Sequence, residues 1–155
     1  MKHTLLLPLI IAIFTSLSAQ AQQLDFGDRT SATIAGKAWG ALNSKNYPDA
    51  VAYAQECVKM YEKQAVEMQN GLKEPVTGDK EAVAKMWALN DVGTCLFIMG
   101  QALEKQNKGT EALAAYKQLV EKIPFAQCWD PKGWFWKPAE GAKTRMKALE
   151  FDSLK

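Results

Sequence analysis

Cysteine is the most reactive residue type in this chain, and it occurs three times, as Cys57, Cys95 and Cys128. No two of them form a Cys-x-x-Cys pair, and the one histidine, His3, lies in what reads as a removable leader. A zinc site needs thiolates or imidazoles at short spacings, and nucleophilic catalysis needs a base beside the nucleophile. The chain offers neither pattern, nor a Gly-rich phosphate loop. No metal site, no cofactor and no catalytic residue is therefore expected. Glycoside hydrolysis would need two carboxylates facing across a cleft. Here the acids are scattered at the spacing of solvated helix faces, with only Asp130 and Glu140 near aromatic residues. The expectation is a protein that binds, not an enzyme.

The second concentration of chemistry is residues 125–136, FAQCWDPKGWFW, which hold three of the five tryptophans: Trp129, Trp134 and Trp136. Asp, Pro and Gly stand in Asp130-Pro131-Lys132-Gly133 where a type I turn favours them, and such a turn would fold Trp129 back toward Trp134. The block can plug the open end of a helical stack. It can also present indole faces to a sugar ring or a proline-rich peptide. A glycan-binding or cell-wall-binding protein using Trp129, Trp134 and Trp136 is thus one reading of the chain. Cys128 is either buried among these rings or a handle for another chain.

The 155 residues suffice for one domain. At 48% hydrophobic and 23% charged residues the composition is that of a globular chain. Residues 1–21 have the layout of a secretory signal: a short basic start with Lys2, the apolar run Leu5 to Phe14, then Ala19-Gln20-Ala21. The run is too short for a bilayer-spanning helix, which takes about 20 residues, and Pro8 interrupts it. Cleavage is expected after Ala21, giving a periplasmic or secreted protein with no permanent membrane span. The net charge of +2 falls closer to neutral once Lys2 is gone. That argues against nucleic acid as a partner.

The elements that must position these residues are helical. Residues 22–30 are short and polar and read as a flexible tail. From Ser31 onward Ala35, Ala38 and Leu42 recur at the spacing of one helix face. Asn46 and Pro48 end that helix and open a second, which runs to about Asn70 before Gly71. After the loop 73–79, Asp79 is a plausible N-cap for a third helix from about Lys80 to Gln106. Asn107-Lys108-Gly109 turns the chain into a fourth, about Thr110 to Lys122. Residues 128–137 read as irregular, and Pro138 opens a final capping helix to about Phe151, with Ala139, Ala142, Met146 and Leu149 as its apolar stripe. No segment alternates long enough to be a strand.

The second and third helices would form a long projecting antiparallel hairpin with Met60, Met68, Met86 and Trp87 between its arms; either these residues only bury each other, or the tip 71–79 meets a partner. Cys57 and Cys95 are equidistant from the loop centre near Val76, so they fall level on facing helices. In an oxidising compartment they could form a disulfide. Closing a loop of about 40 residues would contribute roughly 3–4 kcal/mol in the chain-entropy model. The alternative is two reduced thiols acting as small core residues.

The chain also carries an internal repeat. Ala50, Val51, Ala54, Cys57, Val58 and Tyr61 are matched in spacing by Ala112, Leu113, Tyr116, Leu119, Val120 and Ile123, and each set follows a turn after another amphipathic helix. With Ala38 and Gly100 where paired helices would approach, and Pro124 as terminator, residues 31–62 and 93–124 resemble the tetratricopeptide repeat family. Ile34, Lys37, Glu62 and Gly109 depart from that family's pattern. The two units also begin farther apart than its period of about 34 residues, the excess falling in the extended hairpin 63–92. The resemblance implies an all-α fold of antiparallel helical hairpins stacked as a short superhelix, with residues 125–151 as aromatic block and cap. It implies a protein or peptide ligand in a concave groove lined by the first helix of each unit, here by Trp39, Asn43, Phe97, Gln101 and Lys105. Trp39 and Phe97 could equally be core.

Overall fold

The computed structural model describes residues 23–130 and 132–152. The leader, its cleavage point and Pro131 of the expected turn lie outside the described residues. The fold is mostly helical: α1 (Ser31–Asn43), α2 (Tyr47–Asn70), α3 (Lys80–Ala84), α4 (Trp87–Lys105), α5 (Gly109–Lys122) and α6 (Pro138–Asp152), with a small hairpin of β1 (Cys128–Asp130) and β2 (Trp134–Trp136) before α6. The helices stack side by side, as in helical-repeat architectures. Among the described residues no helix is long and apolar enough to cross a membrane.

Local chemistry accounts for the boundaries. Thr30 accepts a hydrogen bond from the Thr33 backbone N–H at the start of α1, and Asp79 accepts from Ala82 at the start of α3. Asn46 does the same for α2, with Pro48 in the first turn. The expected third helix is broken at Lys85-Met86. The Asn90 side-chain amide donates to the carbonyl of Val83 at 2.8 Å, so a side chain from the next turn takes a carbonyl that a continuous helix would use.

Helix α4 is the centre of the molecule. It packs against α1, α2, α5 and α6, and Leu89, Val92, Cys95, Leu96 and Ile98 are almost completely enclosed. A helix apolar on nearly all sides needs cover on all sides, and α5, α6 and the segment 125–127 supply what α1 and α2 leave open. Small residues set the spacing. A methyl group placed on Gly93 would lie 2.3 Å from the Ala126 Cβ, so only glycine lets this segment lie directly on α4.

Several expectations are corrected here. Residues 128–136 are not irregular but an antiparallel pair in the register Cys128↔Trp136, Trp129↔Phe135, Asp130↔Trp134. The strands are three residues each, too short for an alternation to be read from sequence. Residues 23–30 are held in place. Phe26 meets Tyr53 edge to face at 5.4 Å, Arg29 pairs with Glu56, and the Tyr61 hydroxyl donates to the Arg29 carbonyl at 2.7 Å. The tip 71–79, expected to project, is tied to the segment 125–127: Gln127 Nε2 donates to the Val76 carbonyl at 2.8 Å, and beside it the Phe125 N–H donates to Gln69 Oε1 at 2.9 Å.

Cys57, Cys95 and Cys128 are all buried and are free thiols here, the second of the two states weighed for Cys57 and Cys95. The hairpin register did place the first two side by side. The Cys57 thiol is the largest influence on Cys95, and its hydrogen bond together with burial holds the Cys95 thiol well above its ordinary pKa.

Candidate ligand-binding site

One stripe of α1 carries Ala32, Ala35, Gly36, Trp39 and Asn43, and one stripe of α4 carries Trp87, Asn90, Asp91 and Thr94. Both follow the three-and-four spacing of a single helix face. The aromatic hairpin lies across the space between them. Two adjoining hollows result, of about 400 and 460 Å³. Trp39, Trp87, Asp91, Lys80, Trp129 and Phe135 line the first. Trp39, Asn43, Asp130, Trp129 and Trp136 line the second. Trp39, Cys128 and Trp129 belong to both.

The hairpin is fastened by buried polar contacts. Asn90 Oδ1 accepts from the Gln127 N–H at 2.9 Å, and the Thr94 hydroxyl lies 2.6 Å from the Cys128 sulfur. Burial pushes the Cys128 thiol up to about 12, although the Thr94 contact works the other way. The thiol is therefore a neutral packing group at physiological pH and not a nucleophile. Trp129 stacks edge to face on its cross-strand partner Phe135 at 5.0 Å, not on Trp134 as the turn suggested. Trp136 meets Phe97 of α4 at 5.1 Å. Trp136 packs on the core, while Trp129 leaves 41% of its surface open beside the hollows.

The electrostatics centre on Asp91. Its carboxylate accepts a hydrogen bond from the Ser31 hydroxyl at 2.5 Å and takes part in none of the described ion pairs. Burial raises its pKa above the ordinary aspartate value, with the Ser31 bond opposing. Across the hollow the Lys80 ammonium sits 4.5 Å over the Trp129 ring.

The sequence-based candidates divide accordingly. Trp39, Asn43, Trp129 and Trp136 come together around the two hollows. Phe97 does not line them. It is 8% exposed, pinned between Trp136 and Tyr116, and belongs to the core. Gln101 and Lys105 line a separate hollow with Asn43, Lys45, Tyr47 and Arg145. Trp134, 49% exposed, lines neither aromatic hollow. Trp87 was expected between the hairpin arms. It does touch Tyr61 edge to face at 5.7 Å, but it remains 43% exposed and faces the first hollow. Asp91, Lys80, Asn90 and Phe135 were missed. The stripe Trp87–Asn90–Asp91–Thr94 was readable as one face, but nothing local says which face of an all-round apolar helix stays open.

Among the described residues no group of three His, Cys, Asp or Glu side chains could hold a metal ion. No family model matches the chain, and no curated protein or solved structure is significantly similar to it. What fold and site define is a small, mostly helical domain with an aromatic-lined concave face.

Proposed function

We propose that this protein is a non-enzymatic, exported peptide-binding scaffold of tetratricopeptide type, whose ligand lies in the joined hollows between α1, α4 and the aromatic hairpin. One observation carries the reading: Trp39 from the first helix of one unit and Trp129 from the aromatic block line the same two cavities. Two of the groove residues, Trp39 and Asn43, thus lie beside Trp129 and Trp136 of the aromatic block. The apolar walls with a few polar groups have the make-up of a ligand site. Rings from three separate elements suit an extended chain crossing the face. A glycan remains the second reading, favoured by Asn43 and Asp130 beside the indoles in the second hollow.

The test is a display of random peptides beside an array of cell-wall glycans, each probed with the chain from Gln22 and with its Trp39→Ala and Trp129→Ala variants. Peptide hits lost from both variants support the proposal. Hits confined to glycans overturn it in favour of the second reading. Peptide hits indifferent to both variants overturn the assignment of the site.

A further inference from the structure

Asp91 is an acid in an unusual place. It sits on α4 at the wall of the first hollow, partly buried, with Ser31 as its hydrogen-bond partner and no cation paired with it among the described residues. The described ion pairs go elsewhere: Arg29 to Glu56, Lys37 to Asp25, Lys122 to Glu62 and Arg145 to Glu104. A carboxylate drawn out of water without a counter-charge is unfavourable, and here it borders an open cavity. The walls beside it are Trp39, Trp87 and Trp129. Indole faces attract cations through their quadrupole. One such contact is present, with the protein's own Lys80 ammonium resting over the Trp129 ring. Lys80 is the first residue of the five-residue helix α3, at the edge of the hollow.

We infer that the first hollow is a recognition pocket for a lysine side chain of the bound peptide, its ammonium held by Asp91 against the faces of Trp39, Trp87 and Trp129. This rests on the peptide-binding reading above and adds to it the charge of the residue recognised. Lys80 is then a resident competitor. It covers one ring face in the free protein and adds a like charge that the ligand must displace. The chemistry of an anion site is the reverse: there Lys80 would be the recognising group and Asp91 the obstacle. The two arrangements predict opposite signs for the same two substitutions.

The experiment uses three blocked nonapeptides of alternating Ala and Ser with three lysines, three norleucines or three glutamates at matched positions. Binding is followed through the indole N–H resonances of the labelled chain from Gln22. The lysine peptide should move the Trp39, Trp87 and Trp129 signals and leave Trp134 in place. The norleucine peptide, equal in length and apolar stem, should bind about tenfold more weakly, as should the lysine peptide to Asp91→Asn. Lys80→Met should bind the lysine peptide more tightly. Thermal melts of both variants establish that they fold. Equal binding of the norleucine peptide, preference for the glutamate peptide, or weakening by Lys80→Met overturns the cation assignment and leaves the peptide-binding reading standing. Failure of all three peptides to move the Trp39 and Trp129 signals overturns the cation assignment. The peptide-binding reading itself falls only if the random library also yields no hits at these residues.

Discussion

Gly100 of α4 lies flat against the ring of Tyr116 of α5: a methyl group placed on Gly100 would be 2.2 Å from the ring's Cε1. Tyr116 is fully enclosed, and its hydroxyl donates to Glu104 Oε1 at 2.5 Å. Burial and that carboxylate raise the phenol's pKa, so it stays a neutral donor. The ring cannot retreat without losing this bond. Helices α4 and α5 therefore approach each other by way of a residue with no side chain.

Gly100→Ala should accordingly destabilise the fold by about 1–3 kcal/mol, the usual cost of overpacking a filled core. Gly40→Ala is the control. It lies in α1 with nothing within 4 Å of the added methyl, and should stabilise by up to about 1 kcal/mol through helix propensity. Urea denaturation of the two variants gives both values. Equal effects would mean that α4 and α5 are not packed as described.

The cysteines give a second prediction. All three are buried and free, and the Cys95 and Cys128 thiols are held above their ordinary pKa. The native protein should react with no equivalent of a thiol reagent at pH 8, and with three once denatured. Release of only one thiol on denaturation would instead reveal that the neighbours Cys57 and Cys95 had been oxidised to a disulfide.

Asp91 links stability to pH. Burial raises its pKa in the folded state. The folded protein therefore binds the proton more tightly than the unfolded chain does, and the stability this confers is present below the ordinary aspartate value. It is lost as pH rises through the folded value. Asp91→Asn removes this dependence and can keep the bond from Ser31. The variant should melt higher than the parent at pH 7, with the difference shrinking toward pH 3. A lower melting temperature at pH 7 would show that the carboxylate has a compensating partner.

The tryptophans should separate by position, not by exposure. Trp39→Ala and Trp129→Ala each remove a wall shared by both hollows and should cost peptide affinity about tenfold or more, as central aromatic anchors do. Trp134→Ala, at the most exposed of the five tryptophans' described sites, should leave it unchanged. Isothermal titration with a peptide selected from the library measures all three. A loss at Trp134 would move the site to the outer face of the hairpin.

Much of the fold was legible because its causes are local. The helix periods, the cap at Asp79, and the stops at Gly71 and Asn107 depend on residues within a turn of one another. That Cys57 and Cys95 meet was legible too, from their equal distance to the turn between their helices. The break before Trp87 was not. It depends on Asn90 reaching back to Val83 while its other side-chain atom accepts from Gln127, a residue far along the chain.

By itself the sequence determined that the chain is built of amphipathic helices, where most of them begin and end, and that its aromatic residues concentrate in 125–136. Only the tertiary structure decided which aromatic rings share a cavity. Phe97 and Trp87 lie on the same helix, and periodicity assigns neither to core or site. Trp136 comes down on Phe97 at 5.1 Å, while Trp87 is left beside an open hollow. The reason is physical: burial is a property of what packs against a face, and the segment that closes α4 arrives from the other end of the chain, where Gly93 leaves room for Ala126.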